Sequence, residues 1–229
     1  MKAAMLIALA ALIGWALWAM RADRWRPDAA SVGAQGVALG TANRLLTADA
    51  LKAAGARFVY LDATRGTRLE RGFTDLLDAT RRSGLPTGAI HHYELCTPAA
   101  EQAAAFVTLV PRDGDSLPPL VMIEDQPDCQ RPPSASLLRA ELTTFLGQVE
   151  THGERRAVIG VAPELAERYP LGAIRRERLL ISPRTPPESD AGPRRWAVWL
   201  ANDRTQLDGV EGRVRWLALR RDLGQETRR

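Results

Sequence analysis

The chain has 229 residues, of which 45% are hydrophobic and 25% charged; this is the composition of a globular protein and excludes a disordered or fibrous chain. Its 15 prolines and 18 glycines follow no fixed period, which excludes collagen-like and solenoid architectures. The formal net charge of +4 is mild and comes almost entirely from arginine, Lys2 and Lys52 being the only lysines. The sequence therefore does not predict nucleic-acid binding.

An uncharged apolar run, AAMLIALAALIGWALWAM, occupies residues 3–20. As a helix it would be about 27 Å long at about 1.5 Å per residue, close to the hydrocarbon thickness of a bilayer. The run ends in bulky side chains, Trp15, Trp18 and Met20, which favour an uncleaved signal anchor over a cleaved signal peptide. A buried core helix is the remaining interpretation, disfavoured by the polar linker predicted over residues 21–35.

The globular domain is predicted over residues 36–223, followed by a polar tail at 224–229. Its first helix begins after Thr47 and ends at Gly55, and a buried strand follows at 57–63. Apolar side chains from Phe73 to Thr80 recur at helical spacing until Gly84. The next strand is predicted at 88–95.

The same alternation continues through the middle of the chain. A helix runs from Thr97 and Pro98 to Leu109, and an apolar strand follows at 118–124. A longer helix opens at Ser134 or Ser136, and another strand lies at 157–161. From Arg178 onward short strand-like runs replace the helices. Alternation of this kind predicts a parallel sheet in an α/β fold, and an incomplete barrel fits better than an open sheet, although periodicity does not choose between them.

Seven short segments follow one another at a characteristic spacing: QGVAL (35–39), FVYLDATRG (58–66), GAIHHYELC (88–96), AEQAAAF (100–106), PPLVMIE (118–124), WAVWL (196–200) and GVEGRV (209–214). In this order they resemble glycoside hydrolase family 25, the Chalaropsis-type lysozymes or N-acetylmuramidases, and in particular its membrane-anchored proteobacterial members. The resemblance implies a modified TIM-like barrel of five β/α units and three additional strands. It also implies a peptidoglycan glycan strand as partner and no cofactor.

Hydrolysis of a glycosidic bond needs a protonated acid and further carboxylates around the anomeric carbon. The resemblance matches Glu124 to the catalytic glutamate, as general acid. Four other positions where the family carries acids hold different residues here: Ala38, Arg65, Met122 and Arg215. The resemblance therefore implies that one acid of the cluster remains.

Other side chains near predicted carboxyl-terminal strand ends are possible helpers: Asp62, Glu94, Asp125, Asp203 and His91. Asp125 directly follows Glu124, so strand alternation turns it away unless the strand has ended. His91 matches the family's histidine, but it is adjacent to His92, so only one of the two can face the barrel interior. A core histidine is the favoured interpretation of His91. The pair cannot chelate one metal ion, and no metal site is predicted.

Two aromatic and sulfur features have alternative interpretations. Trp196, Trp199 and Trp216 fall in the late strands and could stack on sugar rings, although core packing is favoured.

Cys96 and Cys129 follow neighbouring predicted strands, so their loops meet at one barrel rim and a disulfide is expected, with two free buried thiols as the alternative. A disulfide and the resemblance together predict a domain in the periplasm, anchored in the inner membrane through residues 3–20.

Three functional hypotheses follow. The favoured one is a pseudoenzyme, a lysozyme-like envelope protein that binds peptidoglycan and is impaired in or incapable of hydrolysis. The second is an active N-acetylmuramidase that cleaves the β-1,4 bond with Glu124 as general acid. The third is a scaffold for other envelope proteins. The sequence carries no signal of oligomeric state.

Overall fold

The computed structural model describes residues 12, 14, 23–113, 116–187 and 196–220. The predicted membrane anchor, apart from Leu12 and Gly14, and the predicted tail at 224–229 lie outside this part of the chain. Among the described residues, no helix is long and apolar enough to cross a membrane.

The strands of the described chain are, in order, β1 (Gln35–Leu39), β2 (Arg44–Leu45), β3 (Val59–Arg65), β4 (Arg68–Leu69), β5 (Thr87–Tyr93), β6 (Leu120–Ile123), β7 (Val158–Val161), β8 (Arg178–Ile181), β9 (Trp196–Thr205), β10 (Val210–Glu211) and β11 (Val214–Leu219). Eight of these close into a barrel in the order β1, β3, β5, β6, β7, β8, β9 and β11, with β11 returning to β1. The first seven of the eight are parallel, and β11 is antiparallel to both of its neighbours. Closure leaves no unpaired barrel edge. The predicted barrel is confirmed.

Four helices cover the outside of the described barrel: α1 (Ala48–Ala53), α2 (Phe73–Arg82), α3 (Ala99–Leu109) and α4 (Ala135–Gly153). Ser134 is the N-cap of α4, where its hydroxyl accepts a hydrogen bond from the Leu137 amide at 3.2 Å. Gly84 follows α2 with a φ of +71°, a left-handed conformation that favours glycine. After β7 the connection contains two short 3-10 turns, at Pro163–Leu165 and Leu171–Ala173, in place of the fifth helix that the family resemblance implies.

Two apolar layers hold these elements together. The inner layer fills the barrel with side chains such as Tyr60, Ile90, Leu120 and Leu217. The outer layer lies between the strands and the helices. The late tryptophans Trp199 and Trp216, each about 1% exposed, belong to this outer layer, so the structure supports their core interpretation and not sugar stacking.

Strand β3 contains a bulge near its carboxyl end. Asp62 pairs with Ile90 of β5, but the next pairs are Thr64 with His91 and Arg65 with His92. The extra residue reverses the alternation of side chains across the strand. Asp62 and Arg65 therefore both face the barrel interior, whereas Thr64 faces the outer layer.

The segment 23–27, called the strap below, lies against the outside of the barrel. The Trp25 ring packs edge-on against Trp199 with 6.2 Å between ring centroids, and Pro27 is buried. Within the predicted linker 21–35 the described residues therefore differ in burial: Trp25 and Pro27 pack on the barrel, and residues 28–31 are exposed. The barrel itself begins within that range, at Gln35.

A disulfide joins Cys96 to Cys129, which are 33 positions apart in the chain and have 5.6 Å between their Cα atoms. Cys96 follows β5 and Cys129 follows β6, so the bond ties two neighbouring loops at the carboxyl-terminal rim of the barrel. Such a cross-link stabilises mainly by restricting the unfolded chain.

We predict that the double substitution Cys96→Ser and Cys129→Ser lowers the free energy of unfolding by about 3 to 4 kcal/mol, because a closed loop of this size removes that much chain entropy from the unfolded state. Urea unfolding followed by tryptophan fluorescence measures the change. A reducing agent should destabilise the wild-type protein by a similar amount and leave the double variant unaffected. Equal stability of the two proteins would contradict the prediction.

Candidate functional site

The carboxyl-terminal ends of the parallel strands form one mouth of the barrel, and five charged or titratable side chains meet there. Asp62 and Arg65 come from the two sides of the β3 bulge, and His92 lies near the end of β5. Glu124 directly follows β6, and Arg215 is the second residue of β11. We call these five residues the mouth cluster.

Three hydrogen bonds and one longer ion pair connect the mouth cluster into a chain of alternating charge. His92 lies between two carboxylates: its Nδ1 is 2.9 Å from Oε2 of Glu124, and its Nε2 is 2.9 Å from Oδ1 of Asp62. Arg215 donates from Nη2 to the same Asp62 oxygen at 2.5 Å. At the other end, Nη1 of Arg65 lies 3.6 Å from Oε2 of Glu124, with both side chains about one-third exposed.

The four positions at which family acids are replaced all contribute to this mouth. Arg65 and Arg215 each face a carboxylate of the mouth cluster. Met122, two residues before Glu124, is buried, and its sulfur lies 3.8 Å from Nη1 of Arg215. Ala38 is buried beside Arg215, its register partner in β11. Cations and apolar groups thus take the places that the resemblance assigns to acids.

The charge state of His92 follows from its two carboxylate partners. Burial by itself would lower the pKa of this imidazole, because the side chain is only 4% exposed. The hydrogen bonds to Asp62 and Glu124, together with the negative charges of both, outweigh burial and raise the pKa of His92 above its ordinary value. Each ring nitrogen also faces a carboxylate oxygen at 2.9 Å, and this geometry favours the imidazolium form, which donates from both nitrogens.

Both carboxylates of the mouth cluster are held in their ionised form. For Asp62, burial would raise the pKa, but the charge of Arg215 and the hydrogen bond from His92 lower it to about 2. For Glu124, the hydrogen bond from His92 lowers the pKa most, burial opposes it, and the charges of His92, Arg65 and Arg215 lower it further. The net direction for Glu124 is downward.

His91 lies in the core between the strands and the helices, which is the interpretation that the sequence favours, and it takes no part in the mouth cluster. His91 points out of the barrel, where its ring stacks on Phe145 at 4.4 Å between centroids. Its Nδ1 accepts from the Thr64 hydroxyl at 2.7 Å, and its Nε2 donates to Oε1 of Gln102 at 3.1 Å. Burial lowers the pKa of His91 to about 3, so it is a neutral core residue.

His92 is the site residue that sequence reasoning missed. Residues i and i+2 of a strand share a face, so His92 faces the same side as Ile90. If the sequence had shown that Ile90 points into the barrel, it would also have placed His92 there. All seven residues of β5 are buried, however, and polarity therefore does not show which face points inward.

The other proposed helpers fall in different places. Asp62 is in the mouth cluster, so the expectation of a single remaining acid is wrong for the mouth as a whole. Glu94 bonds instead to Arg68, at 3.0 Å, and to the Thr97 hydroxyl, at 3.1 Å. Asp125 and Asp203 are exposed to solvent. Within the described ranges, no group of three or more His, Cys, Asp or Glu side chains is placed to hold a metal ion.

The chemistry open to the mouth cluster depends on the spacing of its two carboxylates. Asp62 and Glu124 bond to opposite nitrogens of one imidazole, which places their carboxyl groups within the range of about 5 to 9.5 Å that glycosidase acid pairs span. The imidazole itself occupies the space between them. The arrangement presents a cationic ring where a glycosidase leaves room for substrate or water.

Sequence comparison places this chain among known proteins. The family model described as "Glycosyl hydrolases family 25" matches residues 44–210. Among curated proteins, the uncharacterized protein YegX of Escherichia coli strain K12 is 24% identical over 159 residues, which are 69% of this chain and 57% of YegX. The chain thus spans about 57% of the length of the curated relatives that it matches.

Solved structures with the same fold include two proteins described as members of family 25. A family 25 glycosyl hydrolase from Bacillus anthracis superposes with a TM-score of 0.76 at 20% identity, over 86% of this chain and 92% of that one. A family GH25 lysozyme from Aspergillus fumigatus superposes with a TM-score of 0.70 at 21% identity, over 85% and 97% of the two chains. At these identities the likeness shows the fold.

We predict that the two adjacent histidines titrate in opposite directions. The pKa of His92 should lie above its ordinary value of about 6.5, and His91 should stay neutral down to about pH 3, because carboxylates surround the first and apolar groups the second. The chain has three histidines, so ¹⁵N NMR of the imidazole rings, assigned with His→Gln variants, measures each one. A midpoint for His92 at or below about 6.5, the ordinary value of a histidine, would contradict the prediction.

The same shifts predict the pH dependence of stability. Because folding raises the pKa of His92, its stabilising contribution is complete below about pH 6.5, the unfolded value, and is lost as the pH rises through the folded value. The contribution of His91 has the opposite sign: it destabilises the fold progressively as the pH falls from about 6.5 toward 3. Urea unfolding should show an alkaline loss in the wild type that His92→Gln removes and His152→Gln retains.

Proposed function

Because this chain belongs to glycosyl hydrolase family 25, we propose that it is a lysozyme-like envelope protein that binds peptidoglycan at the barrel mouth and is impaired in hydrolysis. One observation carries this proposal: the hydrogen bond between His92 and Glu124, which holds the expected general acid in its ionised form. The solved enzymes with the same fold support the choice of a glycan as the ligand.

The general acid of a glycosidase must carry a proton to give to the leaving oxygen. Glycosidases therefore raise the pKa of this carboxyl group. Glu124 has the opposite environment. His92 donates to it directly, and Arg65 and Arg215 add positive charge nearby, so its pKa is lowered. At neutral pH the carboxylate has no proton to donate.

The second carboxylate offers little compensation. Asp62 would have to stabilise positive charge at the anomeric carbon, but Arg215 at 2.5 Å and His92 at 2.9 Å already neutralise it. The electrostatic contribution of such a group depends on its charge being directed at the reacting centre. Here that charge is directed at two side chains, and the imidazole stands between the two acids.

The proposed binding of peptidoglycan is supported by the charge of the mouth cluster. The mouth cluster holds three basic side chains, Arg65, Arg215 and His92, and two acidic ones, Asp62 and Glu124. With His92 protonated it carries one net positive charge. The Arg65 side chain is 38% exposed, and its guanidinium can reach a bound ligand. Peptidoglycan carries carboxylates on its peptide stems, and a cationic mouth attracts them.

We propose an inner-membrane anchor in residues 3–20 and a domain in the periplasm. The apolar run supports the anchor. The disulfide between Cys96 and Cys129 supports an oxidising compartment, because such bonds form and persist there and are rare in the cytosol.

The alternative function is an active N-acetylmuramidase with Glu124 as general acid. The separation of Asp62 and Glu124, which lies in the glycosidase range, favours it. Activity would require a bound glycan to displace His92 from between the carboxylates and return a proton to Glu124.

Our prediction for hydrolysis is that the full-length protein, in a detergent without sugar groups, releases no more reducing ends from peptidoglycan than its Glu124→Gln variant. Loss of a positioned acid costs about 100-fold to 10,000-fold in rate, and the wild type should fall at least about 100-fold below an active family lysozyme. Release by the wild type that the substitution abolishes would establish the active alternative. Both proteins should sediment with insoluble peptidoglycan.

For binding, we predict that Arg65→Gln weakens sedimentation with peptidoglycan by about 2-fold to 10-fold, equivalent to about 0.5 to 1.5 kcal/mol for one charge-assisted contact. The matched control is Arg57→Gln, which removes an exposed arginine at the opposite end of β3. Glycan strands stripped of their peptides by an amidase should bind wild type and Arg65→Gln equally. An unchanged affinity of Arg65→Gln for intact peptidoglycan would refute the role of this arginine.

A further inference from the structure

The strap is fixed to the barrel along its whole length. The Asp23 carbonyl accepts from the Gln206 amide at 2.9 Å, and the Asp23 carboxylate pairs with Arg213 and Arg204. Next along the strap, the Trp25 carbonyl accepts from the Asn202 side chain at 3.0 Å.

The second half of the strap continues the attachment. The Arg26 guanidinium lies 4.1 Å above the centroid of the Trp216 ring and donates to the Ala54 carbonyl. The Pro27 carbonyl accepts from the Gln35 side chain at 3.1 Å. The strap is therefore held by polar and aromatic contacts at each of these positions.

These contacts give the strap a direction. Gln206 follows the carboxyl end of β9, and Arg213 precedes the start of the antiparallel β11, so Asp23 lies at the mouth end of the barrel. Gln35 begins β1 at the opposite end. The chain consequently runs from the mouth toward the opposite end of the barrel along the outside of β9 and β11, and it enters the domain on the side of the mouth cluster.

The entry point limits how far the mouth can lie from the proposed anchor. The predicted anchor ends at Met20, and three peptide units span at most about 11 Å. The domain cannot turn over without detaching the strap, because Asp23, only three residues after Met20, is itself bound to the barrel.

We infer that the strap aims the barrel mouth toward the membrane, so that the ligand of the mouth cluster is glycan lying at the membrane surface and not glycan on the far side of the domain. This inference rests on the proposed function, specifically on the anchor in residues 3–20. It deepens that function by naming where the glycan is held.

The test measures which end of the barrel lies nearer the lipid. The full-length protein is reconstituted in nanodiscs that contain acceptor-labelled lipid headgroups, and a donor dye is attached at Thr67→Cys or at Arg57→Cys. These exposed positions follow and precede the same strand, β3, and lie about 25 to 30 Å apart along it. Flotation of the same protein with vesicles reports membrane attachment separately.

We expect energy transfer from position 67 to be at least about twofold higher than from position 57, since the first lies at the mouth and the second at the far end of a strand of this length. A ten-residue Gly-Ser insertion between Ala22 and Asp23 keeps every strap contact but lengthens the tether. It should abolish the difference between the two positions without changing thermal stability.

Two results would overturn the inference, and they differ in what else they refute. Equal transfer from both positions, or higher transfer from position 57, in a protein that floats with vesicles would refute the orientation and leave the anchor intact. Failure to float would refute both the anchor and the orientation. Glycan binding is measured independently of either by sedimentation with peptidoglycan.

Discussion

The imidazolium of His92 is the group on which the mouth of this barrel depends. Two ionised carboxylates lie on its opposite nitrogens, and the side chain is almost completely buried. Two negative charges so close together in a poorly solvated place would raise each other's pKa. With the imidazolium between them, both stay ionised, and the flanking arginines complete a chain in which every charge has a partner of opposite sign.

Much of the fold could be predicted from local signals. Apolar runs separated by glycine, proline and helix-capping residues locate β3, β5, β6 and α4, and Ser134 caps α4 in the structure as expected. The end of β9 was not predictable in this way. Its last residues, from Asn202 to Thr205, include polar side chains and belong to the strand because they pair with β11, across an intervening loop.

The site was predictable only in part. Glu124 could be placed because an acid that ends an apolar strand lies at the carboxyl-terminal rim of a parallel barrel. The partnership of Asp62 with Arg215 joins residues 153 positions apart, and no local pattern reports it. The choice between His91 and His92 fails for a different reason: both faces of β5 are buried, one against the barrel interior and the other against the helices, and burial removes the polarity that would distinguish them.

The bulge in β3 determines the net charge of the mouth cluster. In a regular strand, alternation would turn Thr64 inward beside Asp62 and would send Arg65 outward among the helices. There the guanidinium could not pair with Glu124. One additional residue in the strand brings that positive charge into the lumen instead. The net charge of the mouth thus depends on backbone register as well as on side-chain identity. A chain of identical composition without the bulge would have a neutral mouth.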